Sequence, residues 1–371
     1  MKSAGLNIAE IIDRLKQGSH VKKHELKYLL EIIKKPDEIE LLFKEARNIR
    51  NRKFNKGIFF YGFVYFSTYC QNNCNFCHFR SSNYQLTRYR KSGQEILETA
   101  RELSEAGVHL IDLTMGEDPD MSNASDPKFY DLVKMTGRVI NDTGLPVMIS
   151  PGIIPDKIIS ELAGMGVTWY ACYQETFNRK LYSCLRPGQK FELRLAKKQS
   201  AKNNGLLIEE GILTGVGEST DDLAHSLLKM KNSQADQVRV MTFIPQADTP
   251  MAVFPKQSRM QELICIAVMR LLMPERLIPA SLDVDGLSGL KARLDAGANV
   301  VTSIVPADRG LAGVANHSLD IEESRRTIDY ILPVLEQCGL KAATRKEYLS
   351  WIRNRQNKVL KKGHEKVKQV C

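Results

Sequence analysis

The chain has 371 residues, 43% of them hydrophobic and 26% charged, so it can bury a substantial core and global disorder is excluded. A net charge of +10 first suggests nucleic acid, but residues 353–371 carry seven Lys/Arg against one Glu and hold +6 of that excess. The remainder has the balance of an ordinary enzyme, and no apolar run reaches the ~18 residues of a membrane span, so neither nucleic acid nor membrane is expected as a partner.

Residues 1–56 carry three helical stripes. Ile8, Ile11, Ile12 and Leu15 recur at helical spacing, Leu26, Leu29, Leu30 and Ile33 repeat it, and Leu42, Ala46 and Ile49 follow Pro36. Acidic residues interrupt the first stripe and no cleavage site follows, so it is not read as a signal peptide. The expected location is cytoplasmic, where the eight cysteines would not form a disulfide framework. These helices are expected to cap one end of the fold.

From residue 57 short apolar runs alternate with helical patterns. Strands are predicted at 58–66, 108–114, 145–150, 167–173, 206–213, 236–243, 277–283 and 299–304, with a last helix at about 320–336. Eight strands, each followed by a helix, predict an α/β fold, a (β/α)8 TIM barrel over 57–340, with a basic tail over 341–371. Catalytic groups of such barrels sit just after strands, so those segments are the ones to read.

The first of them is YFSTYCQNNCNFCHFR. Cys70, Cys74 and Cys77 form C-x3-C-x2-C, a soft ligand set suited to an iron–sulfur cluster or to zinc. Three thiolates on a [4Fe-4S] cube leave one iron open, which is where S-adenosylmethionine (SAM) chelates in radical SAM enzymes. Zinc with His78 as fourth ligand is the competing reading, and three unrelated thiols a third. Cys172, Cys184, Cys265, Cys338 and Cys371 are scattered and specify no second cluster. Cys172 and Cys265 fall in apolar runs and read as core thiols.

Strand two ends in Met115-Gly116-Glu117, a partial match to the Gly-Gly-Glu that radical SAM enzymes hold against the SAM amino group. Glu175 ends strand four and Arg194 follows in a helical segment; an Arg–carboxylate contact to SAM and a solvated helix charge are both open for the latter. Gly211, Gly215 and Glu218 match G-x-I-x-G-x-x-E with Leu213 in place of Ile. Glycines there would let backbone approach the adenine, or would simply make a tight turn.

Strand alternation places Asp112, Arg239, Ser281 and Asp283 toward the barrel lumen if the branched residues pack outward. Unpaired buried charge is costly, so these imply either an internal Arg239–Asp283 pair or a zwitterionic ligand. Two acids, an Arg and a hydroxyl suit a diamino acid such as lysine. Asp285, beside Gly286, reads better as a turn or cap.

The strings YFSTYC, IDLTMGEDP, MISPG, YQET, EEGILTGVG, VRVMTFIPQ, RLIPASLD, AGANVVTSI and GVANH, spread over about residues 40–320, resemble those of the methylornithine synthases. These are radical SAM lysine mutases of pyrrolysine biosynthesis, related to biotin synthase and a hydrogenase maturase. The resemblance implies a [4Fe-4S] cluster on Cys70, Cys74 and Cys77. It implies SAM contacts at Phe76, Gly116, Glu117, Glu175, Arg194, Gly211 and Gly215. L-lysine would be held by Asp112, Arg239, Ser281 and Asp283, with electrons from a flavodoxin or ferredoxin. The implied reaction takes hydrogen from the lysine side chain with a 5′-deoxyadenosyl radical. The lysyl radical then fragments and recombines as (3R)-3-methyl-D-ornithine. The alternative within the superfamily is sulfur insertion or metallocofactor maturation; sulfur insertion needs a second cluster.

Overall fold

In the computed structural model, residues 7–121, 127–283, 285–306 and 325–368 are described. Among the described residues eight parallel strands make the barrel: β1 (Gly57–Ser67), β2 (Leu110–Met115), β3 (Val147–Ser150), β4 (Trp169–Ala171), β5 (Leu207–Thr214), β6 (Gln237–Thr242), β7 (Pro279–Ser281) and β8 (Val300–Ile304). Their order is β6-β5-β4-β3-β2-β1-β8-β7, and a parallel bridge between Gln237 and Leu277 joins the two ends. This is the expected (β/α)8 barrel, every predicted strand in its place.

Alternation builds two cores. Outward residues, among them Phe60, Val64, Ile111, Ile149, Ile212 and Val240, pack against the surrounding helices. Inward residues Phe59, Tyr61, Phe63, Leu110, Met148, Trp169, Leu207 and Val300 form a separate aromatic-rich cluster inside the barrel. On β1 the outward Gly62 leaves the space that Leu103 fills, so strand and helix approach closely there.

The N-terminal helices Ile8–Lys16, Lys23–Leu30 and Pro36–Phe54 pack against helix Met260–Leu272 and its neighbours. Lys23 pairs with Asp221 at 2.5 Å and the Gln261 amide donates to the Leu30 carbonyl. Helix Met260–Leu272 is apolar nearly all round because barrel and N-terminal helices cover both its sides.

The basic segment after residue 340 forms the bottom of the barrel. A short strand, Lys341–Ala342, extends the sheet beside the start of β1, and helix Arg345–Lys368 follows. Its first half inserts Tyr348 and Ile352 into the inner cluster. The hydroxyl of Tyr348 donates to Tyr61 at 2.7 Å, Trp351 stacks on Trp169 at 5.8 Å, and Arg355 binds the buried Asp236. Pattern reading sees the Lys/Arg run and misses Tyr348, Trp351 and Ile352, whose spacing carries the buried face. The preceding helix spans Ile328–Gln337, starting later than predicted. Residues 320–324 of that prediction, the string GVANH and Cys371 lie outside the described residues. Among the described residues no helix is long and apolar enough to cross a membrane.

Candidate active site

The upper half of the lumen is a cavity of about 230 Å³, open at the C-terminal ends of the strands. Eleven of the fourteen anticipated site residues line it: Cys70, Cys74, Phe76, Cys77, Asp112, Gly116, Glu117, Glu175, Arg194, Arg239 and Asp283. Gly211, Gly215 and Ser281 do not. Gly211 leaves room for the ring of Tyr173. Gly215, at φ +81°, donates its N–H to Glu218 at 2.8 Å, so this turn is held by its own glutamate. Ser281 stands behind Asp283, 3.3 Å from its carboxylate.

The cysteine loop begins where β1 ends, after a register shift between Tyr65 and Ser67. Gly116 at the end of β2 lies so close to Tyr69 and Cys70 that any side chain would collide with them. Burial raises the thiols of Cys70 and Cys77, and for Cys77 the neighbouring Cys74 and Cys70 raise it further. A cation among the sulfurs reverses that sign, because coordination favours thiolate; the donor set therefore fits a thiophilic metal cluster. His78, the alternative zinc ligand, is buried against Asn83 and is not on the cavity wall.

Beside the thiols lie two ion pairs. Arg194 binds Glu117 at 2.9 Å, and Arg186 binds Glu175 at 2.6 Å, all four residues buried. Burial opposes ionisation of Glu117, but Arg194, Asn72 and a backbone N–H outweigh it and hold its carboxyl below the ordinary value. Glu175 has φ +64°, a left-handed conformation that a non-glycine residue adopts at a cost. It is fixed by backbone bonds on both sides, from its N–H to Gly211 and from Leu213 N–H to its carbonyl. Arg194 is thus a buried site residue and not a solvated helix charge. Arg186 escaped sequence reading, although it ends a helix within the helix-to-helix turn just after Glu175.

Deeper in the lumen the charges pair with partners the sequence did not announce. Arg239 binds Glu209 at 2.8 Å through Nε, and Glu209 also accepts from Tyr173 at 2.8 Å. Asp283 binds Arg326 at 2.9 Å and accepts from Tyr65 at 2.5 Å and Ser303 at 2.7 Å. An Arg239–Asp283 pair is therefore replaced by two separate pairs. One signal for Glu209 was present: two acids, Glu209 and Glu210, interrupt an otherwise apolar strand, and alternation sends one inward and the other outward to Lys198.

Asp112 is different. Its carboxylate accepts from Ser150 at 2.8 Å and Thr114 at 3.0 Å, and among the described residues no Lys or Arg contacts it. Burial, with Glu209 nearby, pushes its carboxyl up to about 7. Nη2 of Arg239 is buried and has no acceptor among the described residues. One wall thus offers an acid without a cation and the other a guanidinium nitrogen without an anion.

Residues 64–230 match the Radical SAM superfamily. The chain is 43% identical to the 3-methylornithine synthase of Methanosarcina acetivorans over 341 residues, covering 92% of this chain and 96% of that protein. It belongs to the 3-methylornithine synthase family. The crystal structure of a methylornithine synthase (PylB) superposes with a TM-score of 0.86 at 41% identity, covering 92% of this chain and 99% of that one. The [FeFe] hydrogenase maturase subunit HydE of Thermotoga maritima is 33% identical over 267 residues, covering 71% of this chain and 74% of that protein. As a radical SAM enzyme of the 3-methylornithine synthase family, the chain carries its cysteine loop, its two upper ion pairs and its charged lumen on one continuous cavity.

Proposed function

We propose that this enzyme isomerises L-lysine to (3R)-3-methyl-D-ornithine, the first step of pyrrolysine biosynthesis. The observation that carries the substrate is the pair of unmet charges in the lumen. Among the described residues Asp112 has no cation and Arg239 retains a free donor, and a diamino acid supplies an ammonium to the first and a carboxylate to the second. Asp283 completes the polar wall, with Ser281 supporting it from behind.

Cys70, Cys74 and Cys77 would hold a [4Fe-4S] cluster. Glu117, Arg194, Glu175, Phe76 and Gly116 would hold SAM beside it, while Gly211 and Gly215 shape the wall from behind. Bound together, the two groups supply one-electron cleavage and a hydrogen-abstracting carbon centre. The protein positions and excludes. Glu117 and Arg194 present an acid and a guanidinium to an aminoacyl group. The aromatic bottom closes the lumen to water from below, which confines reactive fragments until they recombine. A flavodoxin or ferredoxin as electron donor and a cytoplasmic setting complete the reading.

The test is anaerobic incubation of the reconstituted protein with SAM, reductant and isotopically labelled lysine. Mass spectrometry and chromatography against a methylornithine standard should find a lysine isomer. SAM cleavage that requires some other small molecule, with lysine unchanged, would overturn the assignment.

A further inference from the structure

The three cysteines differ in what surrounds them. Among the described residues no side chain donates to Cys70 or Cys77, and it is backbone N–H groups, of Asn72 and Glu117 for the first and of Phe79 for the second, that favour their thiolates. Cys74 receives two side-chain donors, Gln189 Nε2 at 3.0 Å and Arg186 Nη1 at 3.3 Å. Both come from the turn after helix Arg179–Leu185. Arg186 is 7% exposed and lies over the ring of Phe76 at 5.2 Å.

These donors are also tied to the carboxylates assigned to SAM. Arg186 gives its other terminal nitrogen to Glu175 at 2.6 Å. Gln189 accepts at its carbonyl from Arg194 Nη1 at 3.1 Å, and the same Nη1 binds Glu117 at 2.9 Å. Two short chains, Glu175–Arg186–Cys74 and Glu117–Arg194–Gln189–Cys74, thus converge on one sulfur.

We infer that Arg186 and Gln189 are positioning residues that set the reduction potential of the cluster through Cys74. The inference rests on the cysteines holding that cluster. Donors to a ligating sulfur stabilise the reduced form, which carries more negative charge, over the oxidised form. In this water-poor pocket a cationic donor has a larger effect than a neutral one. Arg186 therefore raises the potential more than Gln189 does. It is kept at the sulfur by Glu175, whose left-handed backbone aims the carboxylate at it.

The experiment is a potentiometric titration of the reconstituted cluster, followed by its electron paramagnetic resonance signal, in the absence of SAM and lysine. Arg186→Met should shift the couple to more negative potential. At the parent's midpoint its reduced-to-oxidised ratio should fall about tenfold, 59 mV for a one-electron couple. Gln189→Leu should move it the same way by less, and Arg186→Lys should recover part of the shift. Unchanged potentials in Arg186→Met and Gln189→Leu, both carrying full iron, would overturn the inference. If Arg186→Met loses iron, Gln189→Leu and Arg186→Lys decide it, by shifting negatively or not. A parent protein that binds no cluster fails the underlying reading instead, which iron analysis separates from the first result.

Discussion

The two halves of the barrel lumen are built from the same eight strands and differ in what those strands turn inward. The lower half is filled: Phe59, Tyr61, Leu110, Met148, Trp169 and Leu207 meet Tyr348 and Ile352 of the last helix. The upper half keeps its space and lines it with thiols and charges. Buried ion pairs contribute little net stability, because the desolvation of each partner offsets their attraction. The apolar lower half and the outer shell must therefore carry the fold, and the upper half is free to hold groups chosen for chemistry. Damage to each half should consequently read out differently.

The largest effect belongs to the thiols. Ala in place of Cys70, Cys74 or Cys77 should abolish the cluster's visible absorption and all turnover, as iron content and product assays will record, with the far-ultraviolet circular dichroism retained.

Asp112→Asn should come next. Loss of one member of a buried charge pair weakens binding by about 2–5 kcal/mol, about thirtyfold or more in lysine affinity by calorimetry. The same variant should be more stable than the parent when unliganded. Asp112 titrates at about 7 in the folded chain against an ordinary 3.8. Between those values the unfolded chain has already released the proton that the folded chain retains, so stability falls as pH rises through this window, and the loss is complete above pH 7. Urea melts at pH 5 and pH 8 should show that fall in the parent. The Asn variant should show less of it, and added lysine should offset it.

The lower half should behave in the opposite sense. Tyr348→Ala removes a fully buried ring and its bond to Tyr61, and should cost about 3–5 kcal/mol in urea melts while leaving the lysine KM unchanged. A shifted KM with intact stability would break the division between the halves. Smallest of all is Lys358→Ala. Its exposed 3.0 Å pair with Glu275 is worth under about 1 kcal/mol, and melting curves should barely separate.

The strands were readable because each is a short apolar run bounded by turns, and the site because its residues directly follow those runs. Cys70 and Glu117 were found by motifs placed just after strands and Asp112 by alternation, and all three line the cavity. Partners were not readable. Nothing local says that Arg239 meets Glu209 rather than Asp283, or that Arg326, after a long connection, returns to Asp283. Such pairings are fixed by barrel closure, which brings distant strands together at atomic range. The surroundings of Gly211 were not readable for a related reason. Gly211 does give close approach, but to Tyr173 of the neighbouring strand. The last helix was hidden by its own surface, since a dense run of Lys and Arg masks the few aromatic positions that face the barrel.

The wall of the cylinder is not equally bonded around its girth. Between β6 and β7 the backbone contact is a bridge at Gln237 and Leu277, beside which Asp236 gathers Arg355 and Arg276. A cylinder laced so lightly along one seam can alter its circumference by parting a few bonds, while the other seven junctions hold register. Arg239 stands on one lip of that seam and Ser281 on the other. Arg239 therefore rides on a strand tied to one neighbour by a bridge and to the other, β5, by a ladder of six residue pairs.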